Sequence, residues 1–329
     1  MSLPAADTPE GWDALADDDA ALAAGVDEIL RAHARGLDAV PRTRYASGSL
    51  PVYAVGREHV LKLFPPHEEE HATVEARVLQ AVHGRLPIPT PRLHAAGRHD
   101  GWHWLLMSQL HGERLVDAWP ALAPADRDRL ADSLGAALAA LHAIDVAPLA
   151  GLPPDWPSFV AGQRASAVAR QRAHGLHDRW LGQIEPFLER WAPPPSPPAA
   201  LLHTEVMREH LLVASGDEGP QFSGLFDFEP AMLGAPEYDF ASVGLFVACG
   251  DARFLRRVLR AYGYAPGALG AALQCRLMAW TLLHRYANLP WYLRRMPAGE
   301  ATTLEQLAAR WWSLDGADAG DGRGAVGTR

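Results

Sequence analysis

The chain has 329 residues, of which 48% are hydrophobic and 21% charged, and its 39 acidic against 30 basic side chains leave a formal net charge of −9. That length allows one large domain or a two-lobed one, and an acidic chain without a basic stripe is a poor match for a nucleic-acid partner. A negative surface suits a polycationic small molecule, because acidic clefts concentrate cations, and it equally serves solubility.

Residues 1–18 are acidic and read as a loose arm without the apolar stretch of a signal peptide. Residues 19–35 carry Ala, Leu, Val and Ile at helical spacing and end at Gly36. Between 43 and 64 the period shortens to two. Arg44 to Val55 reads as a strand, a turn at Ser47-Gly48-Ser49 and a second strand, and Gly56-Arg57-Glu58 turns the chain into His59 to Phe64. Pro65-Pro66 stops that strand, and residues 68–83 follow as a helix whose acidic first turn suits its dipole. Pro87, Pro89 and Pro91 mark an extended connection to two strands, Leu93 to Ala96 and Trp102 to Ser108, around a His-Asp-Gly turn.

From residue 121 the pattern is helical. Arg127 to Ile144 is amphipathic, residues 157–191 hold one or two more helices, and the Pro-rich stretch 193–198 is a linker. Leu211 to Val213 and Phe222 to Phe226 then flank a Gly/Asp break as a hairpin would. A polar loop with His203, Glu205 and His210 precedes the hairpin, and Asp227 follows it. The longest apolar run, Phe240 to Cys249, is far short of the roughly 20 residues a membrane span needs. Cys249 and Cys275 sit among apolar residues and read as buried thiols, with no disulfide framework; a reducing, cytoplasmic setting is expected. Residues 251–314 are helical again, and the Asp/Gly/Ala-rich tail 315–329 reads as disordered. No internal repeat is visible.

Two local patterns carry chemistry. Lys62 stands alone among Val60, Leu61, Leu63 and Phe64, which is unfavourable unless the cation is paired or the strand lies at a wet edge. His67-Glu68-Glu69-Glu70-His71 matches H-E-x-x-H, which on a helix would put both histidines on one face for zinc. The positions where an extended zinc-peptidase signature would need Gly and a third His are Val74 and Arg77.

Three further motifs fall in order: His203-Thr204-Glu205 with His210, Asp227-Phe228-Glu229, and Gly234-Ala235-Pro236-Glu237-Tyr238-Asp239-Phe240-Ala241. Together they resemble the aminoglycoside phosphotransferase family pattern H-G-D-x-x-x-x-N, I-D-F/W-x and G-x-P-x-x-D-x-A. The resemblance covers about residues 40–290. Short pieces (Val60 to Phe64, Pro87 to Leu93 and Leu105 to Ser108) are similar to hygromycin B kinases.

This resemblance implies an α+β, two-lobed protein-kinase-like fold with a β-rich N-terminal lobe and a helical C-terminal lobe. The expected division is an arm and helix at 1–40, a nucleotide-binding lobe at 41–110, a catalytic and substrate-binding lobe at 111–314, and the tail. It implies an O-phosphotransferase that uses ATP and Mg2+, with GTP open as the donor, and acts on a hydroxylated small molecule of the aminoglycoside type, as a monomer or dimer. Lys62 would neutralise the α/β-phosphates and pair with Glu75. Ser47, Gly48 and Ser49 would turn over the phosphates. The adenine would bond to the backbone of Ser108 and Leu110, with Met107 lining its pocket. Asp227 would bind Mg2+, His203 would brace the loop, Asp239 would hold that loop from below, and the Glu205 position accepts or orients the substrate hydroxyl.

Two positions depart from the pattern. Glu205 stands for Asp and moves the carboxylate by roughly 1 Å, a shift that can lower rates on the order of a hundredfold. His210 stands for the metal-binding Asn, and imidazole suits Zn2+ better than Mg2+. Glu229 could restore an oxygen ligand, or simply face solvent or form a salt bridge. Three readings therefore remain at this level: a small-molecule kinase, a non-catalytic nucleotide-binding homologue, and a zinc peptidase built on His67, Glu68 and His71.

Overall fold

The period-two segments pair into one antiparallel sheet. Its strands are β1 (Arg42–Arg44), β2 (Val52–Val55), β3 (His59–Phe64), β4 (Leu93–His99) and β5 (Trp102–Ser108), in the spatial order β1-β2-β3-β5-β4. The structure is a computed structural model that describes all residues except 1, 14, 16, 17, 35, 47, 194–199, 218 and 315–329. The expected turn residue Ser47 and the expected disordered tail lie outside the described residues. β3 is the central strand, with Lys62 opposite Val52 on one side and Leu105 on the other. The edge-strand reading of Lys62 is thereby overturned: flanked on both sides, the lysine is 5% exposed. β4 and β5 join at Asp100-Gly101, both with positive φ (49° and 90°), the conformation a two-residue Asp-Gly hairpin turn requires.

Alternation gives the sheet two different faces. Tyr53, Val55, Leu61, Leu63, Trp102, Trp104 and Leu106 belong to one hydrophobic cluster. The residues between them, Val52, Val60, Lys62 and Met107, line a cavity.

The cluster also takes in the N-terminal segment, which is not a loose arm. It contributes α1 (Pro9–Asp13) and α2 (Asp19–His33). Leu3, Ala6 and Trp12 are buried with Leu22, Val26, Ile29 and Leu30 of α2. The Trp12 indole donates to the Ser49 carbonyl at 3.0 Å and the Trp102 indole to the Pro4 carbonyl at 2.8 Å. The two rings meet edge to face with centroids 5.7 Å apart. A few large apolar side chains anchor this segment; its average acidity concealed them.

α3 (Glu69–Val82) follows β3 and buries Ala72, Val74, Glu75, Val78, Leu79 and Val82, a helical stripe that includes one carboxylate. Two smaller sheets come later. β6 (Glu113–Arg114), β8 (Leu211–Gly216) and β9 (Gly219–Leu225) run in the order β6-β8-β9, and β7 (Ala200–Leu202) pairs with β10 (Met232–Gly234). The helices are α4 (Leu115–Ala118), α5 (Pro124–His142), α6 (Trp156–Ala173), α7 (Asp178–Trp191), α8 (Glu237–Ser242), α9 (Ala252–Tyr262), α10 (Ala271–Leu283), α11 (Leu289–Arg295) and α12 (Leu304–Trp312).

The chain divides into two compact units. One comprises residues 1–122, 137–156 and 197–236, and the other residues 123–136, 157–196 and 237–329. In the second, α10 is mostly apolar and every residue from Leu273 on except Arg276 is buried, as a central helix must be. It packs against α7, α8 and α12. Cys275 is buried there, whereas Cys249 is only half-buried: it leaves the π-helical turn Val243–Ala248 with a left-handed φ of 50°. Among the described residues no helix is long and apolar enough to cross a membrane.

The N-terminal anchor can be tested directly. Trp12→Ala removes a buried indole and is expected to lower stability by about 3–5 kcal/mol, the usual range for buried aromatic truncation. A thermal melt followed by circular dichroism checks this; a loose arm would leave the melting temperature unchanged.

Candidate functional site

Every side chain of the site described here lies in the first unit. Two loops at the base of the β8–β9 hairpin position it. Leu211 pairs with Leu225 at the base of the hairpin, so the loop before β8 (residues 203–210) and the residues after β9 leave side by side. Thr204 and Asp227 both sit at left-handed φ, 69° and 70°, a region non-glycine residues occupy only when surrounding contacts enforce it.

His203 supplies part of that enforcement. It is fully buried. Its Nε2 faces the Phe226 carbonyl at 3.0 Å and its Nδ1 accepts the Glu205 N–H at 3.3 Å. A carbonyl only accepts, so the proton is on Nε2 and the neutral ring satisfies both loops at once. Thr204 Oγ1 donates to the Pro230 carbonyl at 3.0 Å, and the His203 ring packs on Phe228 at 4.6 Å. The His210 Nδ1 lies 3.0 Å from the Glu205 carbonyl, and its Nε2 lies 3.1 Å from Asp227 Oδ2.

Lys62 is the centre of charge. Its Nζ is 2.8 Å from Glu75 Oε2, 2.6 Å from Asp227 Oδ1 and 2.5 Å from Glu229 Oε2. Glu75 Oε1 also accepts the Phe228 N–H at 3.3 Å, which ties α3 to the backbone just past Asp227. Glu229 is thus neither solvent-facing nor peripheral. Burial opposes the charge on Lys62, but Asp227, Glu229 and Glu75 hold its pKa well above the ordinary lysine value. Burial likewise works against ionising Asp227, yet Lys62 and then His210 hold its carboxyl well below the usual range. Burial pushes Glu75 up to about 7, Lys62 pulls it down, and repulsion from Asp227 and Glu229 adds to the rise. Three carboxylates around one ammonium leave a local excess of negative charge.

These groups form the polar end of a cavity of 610 Å³. Its apolar walls include Val52, Val60, Met107, Leu212 and Phe226, with Gly48, Ser49, Ser108 and Leu110 also lining it. An apolar slot closing on a few convergent polar groups is how ring-bearing ligands are usually held. Ser108 already donates its N–H to the Arg92 carbonyl at 2.9 Å, and its hydroxyl accepts the Arg92 N–H at 2.9 Å. A purine would therefore have to meet the Ser108 carbonyl, not its N–H. Of the apolar walls, sequence reading missed Val52, Val60, Leu212 and Phe226. The usable signal was spacing: Val60 is two residues before Lys62 on one strand and so shares its face.

Asp239 is buried in the first turn of α8, in the second unit. The H-E-x-x-H motif does not place its histidines on one helical face. His67 falls in a separate 3-10 turn, Pro66–Glu68, before α3 begins. Its Nδ1 lies 3.1 Å from the Ala6 carbonyl, and His71 is engaged with Glu68. Among the described residues, two groups bring metal-binding atoms within 4.8 Å of one another, Glu205-His210-Asp227 and Glu75-Asp227-Glu229. Neither contains the histidines of that motif. The second already surrounds the Lys62 ammonium. The first offers two carboxylates and an imidazole nitrogen, a donor set that fits a divalent cation but includes a nitrogen that magnesium disfavours.

The profile of the phosphotransferase enzyme family matches residues 41–274. The chain belongs to that family and is a small-molecule kinase, with the α+β, two-lobed kinase-like fold. Its fold is similar to that of wild-type aminoglycoside 2'-phosphotransferase-IIIa in complex with GDP, at 17% identity and a TM-score of 0.66, over 88% of this chain and 98% of the other. It is also similar to APH(2")-IIa in its ternary complex with streptomycin and ATP (14% identity, TM-score 0.57, 88% and 98% covered). A third likeness is to the macrolide 2'-phosphotransferase MphH from Brachybacterium faecium (22% identity, TM-score 0.55, 87% and 97% covered). These likenesses do not single out a hygromycin B branch. No curated protein matches the chain in sequence.

Lys62→Met tests the charge cluster. Removing one partner of a buried ion pair typically lowers stability by about 3–5 kcal/mol, and a loss of that order is expected at pH 8. Without the lysine, burial and mutual repulsion raise the folded-state pKa values of the three carboxylates. Their stabilising contribution is then complete below the unfolded pKa and lost as pH rises through the raised values. In the wild type, Asp227 has a depressed pKa and behaves oppositely, losing its contribution as pH falls. The gap in melting temperature between wild type and Lys62→Met should therefore shrink from pH 8 to pH 5; a constant gap would mean that the three carboxylates do not depend on Lys62.

Proposed function

We propose that this kinase transfers the γ-phosphoryl group of ATP to a hydroxyl of an amine-rich small molecule of the aminoglycoside type, in the cytoplasm. The observation that carries the reading is Lys62, fixed by Glu75 and Asp227 at the polar end of an apolar-walled cavity. The fold likeness to enzymes solved with ATP and streptomycin or with GDP supports a purine nucleotide donor, and GTP is tested beside ATP. The net charge of −9 suits a polycationic acceptor.

Phosphoryl transfer needs positioning and charge stabilisation more than covalent help from the protein. Lys62 would hold the α/β-phosphates, with Glu75 fixing the ammonium. Gly48 and Ser49 would cover the phosphates, while Val52, Val60, Met107 and Phe226 would enclose the base. The Ser108 carbonyl and Leu110 backbone would meet its edge. Asp227 and His210 would hold a divalent cation, which supplies neutralisation of phosphate charge when bound. Glu205 would take the proton of the attacking hydroxyl as the new O–P bond forms, and the β–γ bridging oxygen would leave with the electron pair as ADP. His203 would set the loop carrying Glu205, and Asp239, in the first turn of α8, would have a structural role. Glu229 would release Lys62 to the phosphates.

A non-catalytic nucleotide binder is the second reading, favoured by one observation: the Glu205 carboxylate lies within 4.8 Å of the His210 and Asp227 donor atoms, where it could serve as a ligand instead of a base. Nucleotide turnover across a panel of aminoglycosides and other hydroxylated amines separates the two. With an acceptor in hand, Glu205→Gln is expected to reduce kcat by about 10²–10⁴, the usual contribution of a general base, while Glu205→Asp retains activity. Asp227→Asn should fold normally and lose cation-dependent nucleotide binding, measured by calorimetry. Full turnover in Glu205→Gln would remove it as the base, and no turnover of any acceptor by wild type would leave the binder.

A further inference from the structure

The His210 ring is held with a fixed polarity. Its Nδ1 faces the Glu205 backbone carbonyl at 3.0 Å; the carbonyl can only accept, so Nδ1 carries a proton. Its Nε2 faces Asp227 Oδ2 at 3.1 Å. In the neutral ring this nitrogen presents a lone pair, and it meets an oxygen that presents one too. Such an approach requires a positive charge at or between the two atoms. Lys62 does not supply it on this side, because it binds the other carboxylate oxygen, Oδ1, at 2.6 Å. The separation is informative. Two ligands about 2.1 Å from one ion and roughly at right angles to each other lie about 3 Å apart. The far side of the ring is arranged to match, because metal-binding histidines commonly donate their second N–H to a backbone carbonyl.

We propose that His210 Nε2 and Asp227 Oδ2 are ligands of a first-row transition-metal dication, with Mn2+ as the working ion in place of Mg2+. Glu205, whose carboxylate is within 4.8 Å of both, lends its charge to the site. Imidazole nitrogen selects against magnesium, while carboxylate and phosphate oxygens suit manganese as well as magnesium. The inference rests on the phosphotransferase reading for the use of the metal; metal binding itself needs no nucleotide.

The test uses the nucleotide-free full chain. Mn2+ affinity is read from loss of the free-ion paramagnetic resonance signal, and Mg2+ affinity from competition against it. Most sites bind Mn2+ the more tightly, so the decisive quantity is the ratio of the two affinities. That ratio is expected to be at least about tenfold larger in wild type than in His210→Asn, since only the nitrogen ligand distinguishes the ions. Equal ratios in the two proteins would overturn the proposal and leave His210 as an imidazolium paired with Asp227. Should His210→Asn fail to fold, electron spin-echo modulation of Mn2+ bound to wild type decides. A directly coupled nitrogen nucleus supports the proposal, and an all-oxygen coordination sphere overturns it. Binding of a fluorescent ATP analogue in EDTA, measured separately, reports on the nucleotide site alone, so failure of the phosphotransferase reading is distinguishable from failure of the metal assignment.

Discussion

One buried ammonium ion organises the first of the two compact units of this molecule. Lys62 projects from the central strand of a sheet whose other face is closed by tryptophan and leucine, and it is almost completely buried. An unpaired charge there would be prohibitively unfavourable. Its three partners come from two places: Glu75 from a helix, and Asp227 and Glu229 from a loop more than 160 residues further along. The pairing therefore fixes β3, α3 and the end of the β8–β9 hairpin relative to one another. Three carboxylates thus surround a single lysine.

The strained residues follow from that demand. Asp227 must turn back toward Lys62 immediately after a strand, and Thr204 must reverse the loop that carries Glu205; both adopt left-handed backbone. Strain of this kind persists only where neighbours over-determine it. Here His203 bonds to both loops, Thr204 to Pro230, and Glu75 to the amide of Phe228. A histidine buried in its neutral form is well suited to the task, since one nitrogen can donate while the other accepts.

The two departures from the family pattern act together. The His210 ring reaches from the Glu205 carbonyl to the Asp227 carboxylate, a bridge that places an imidazole nitrogen where the family pattern has an amide. Glu205, one methylene longer than Asp, has a carboxylate within reach of the same two groups. The chemistry of the pair is therefore a question about which cation the site prefers as much as about which residue is the base.

Much of this could be read from the chain itself. Alternation fixed the strands, Pro65-Pro66 and the acidic turn marked α3, and the order of His203, Asp227 and the Gly234–Ala241 run identified the family, because each is a local or linear property. What the linear pattern left open was settled by long-range packing. Average acidity hid Leu3 and Trp12, whose burial depends on a sheet face completed about 90 residues later. An H-E-x-x-H spacing looked helical, but a Pro-initiated 3-10 turn rotated His67 off the helix. Cys249 looked buried among its neighbours, but it is itself the left-handed residue that ends the π-helical turn and is only half-buried. Lys62 read equally as a wet edge residue or a buried ion, since sequence does not say which strands flank β3. Glu229 read as a spare oxygen ligand, a solvent-facing side chain or a salt bridge, and the salt bridge is what forms. Its role depends on the third dimension bringing it 2.5 Å from a lysine on a distant strand, and electrostatics at that range is a property of the fold alone.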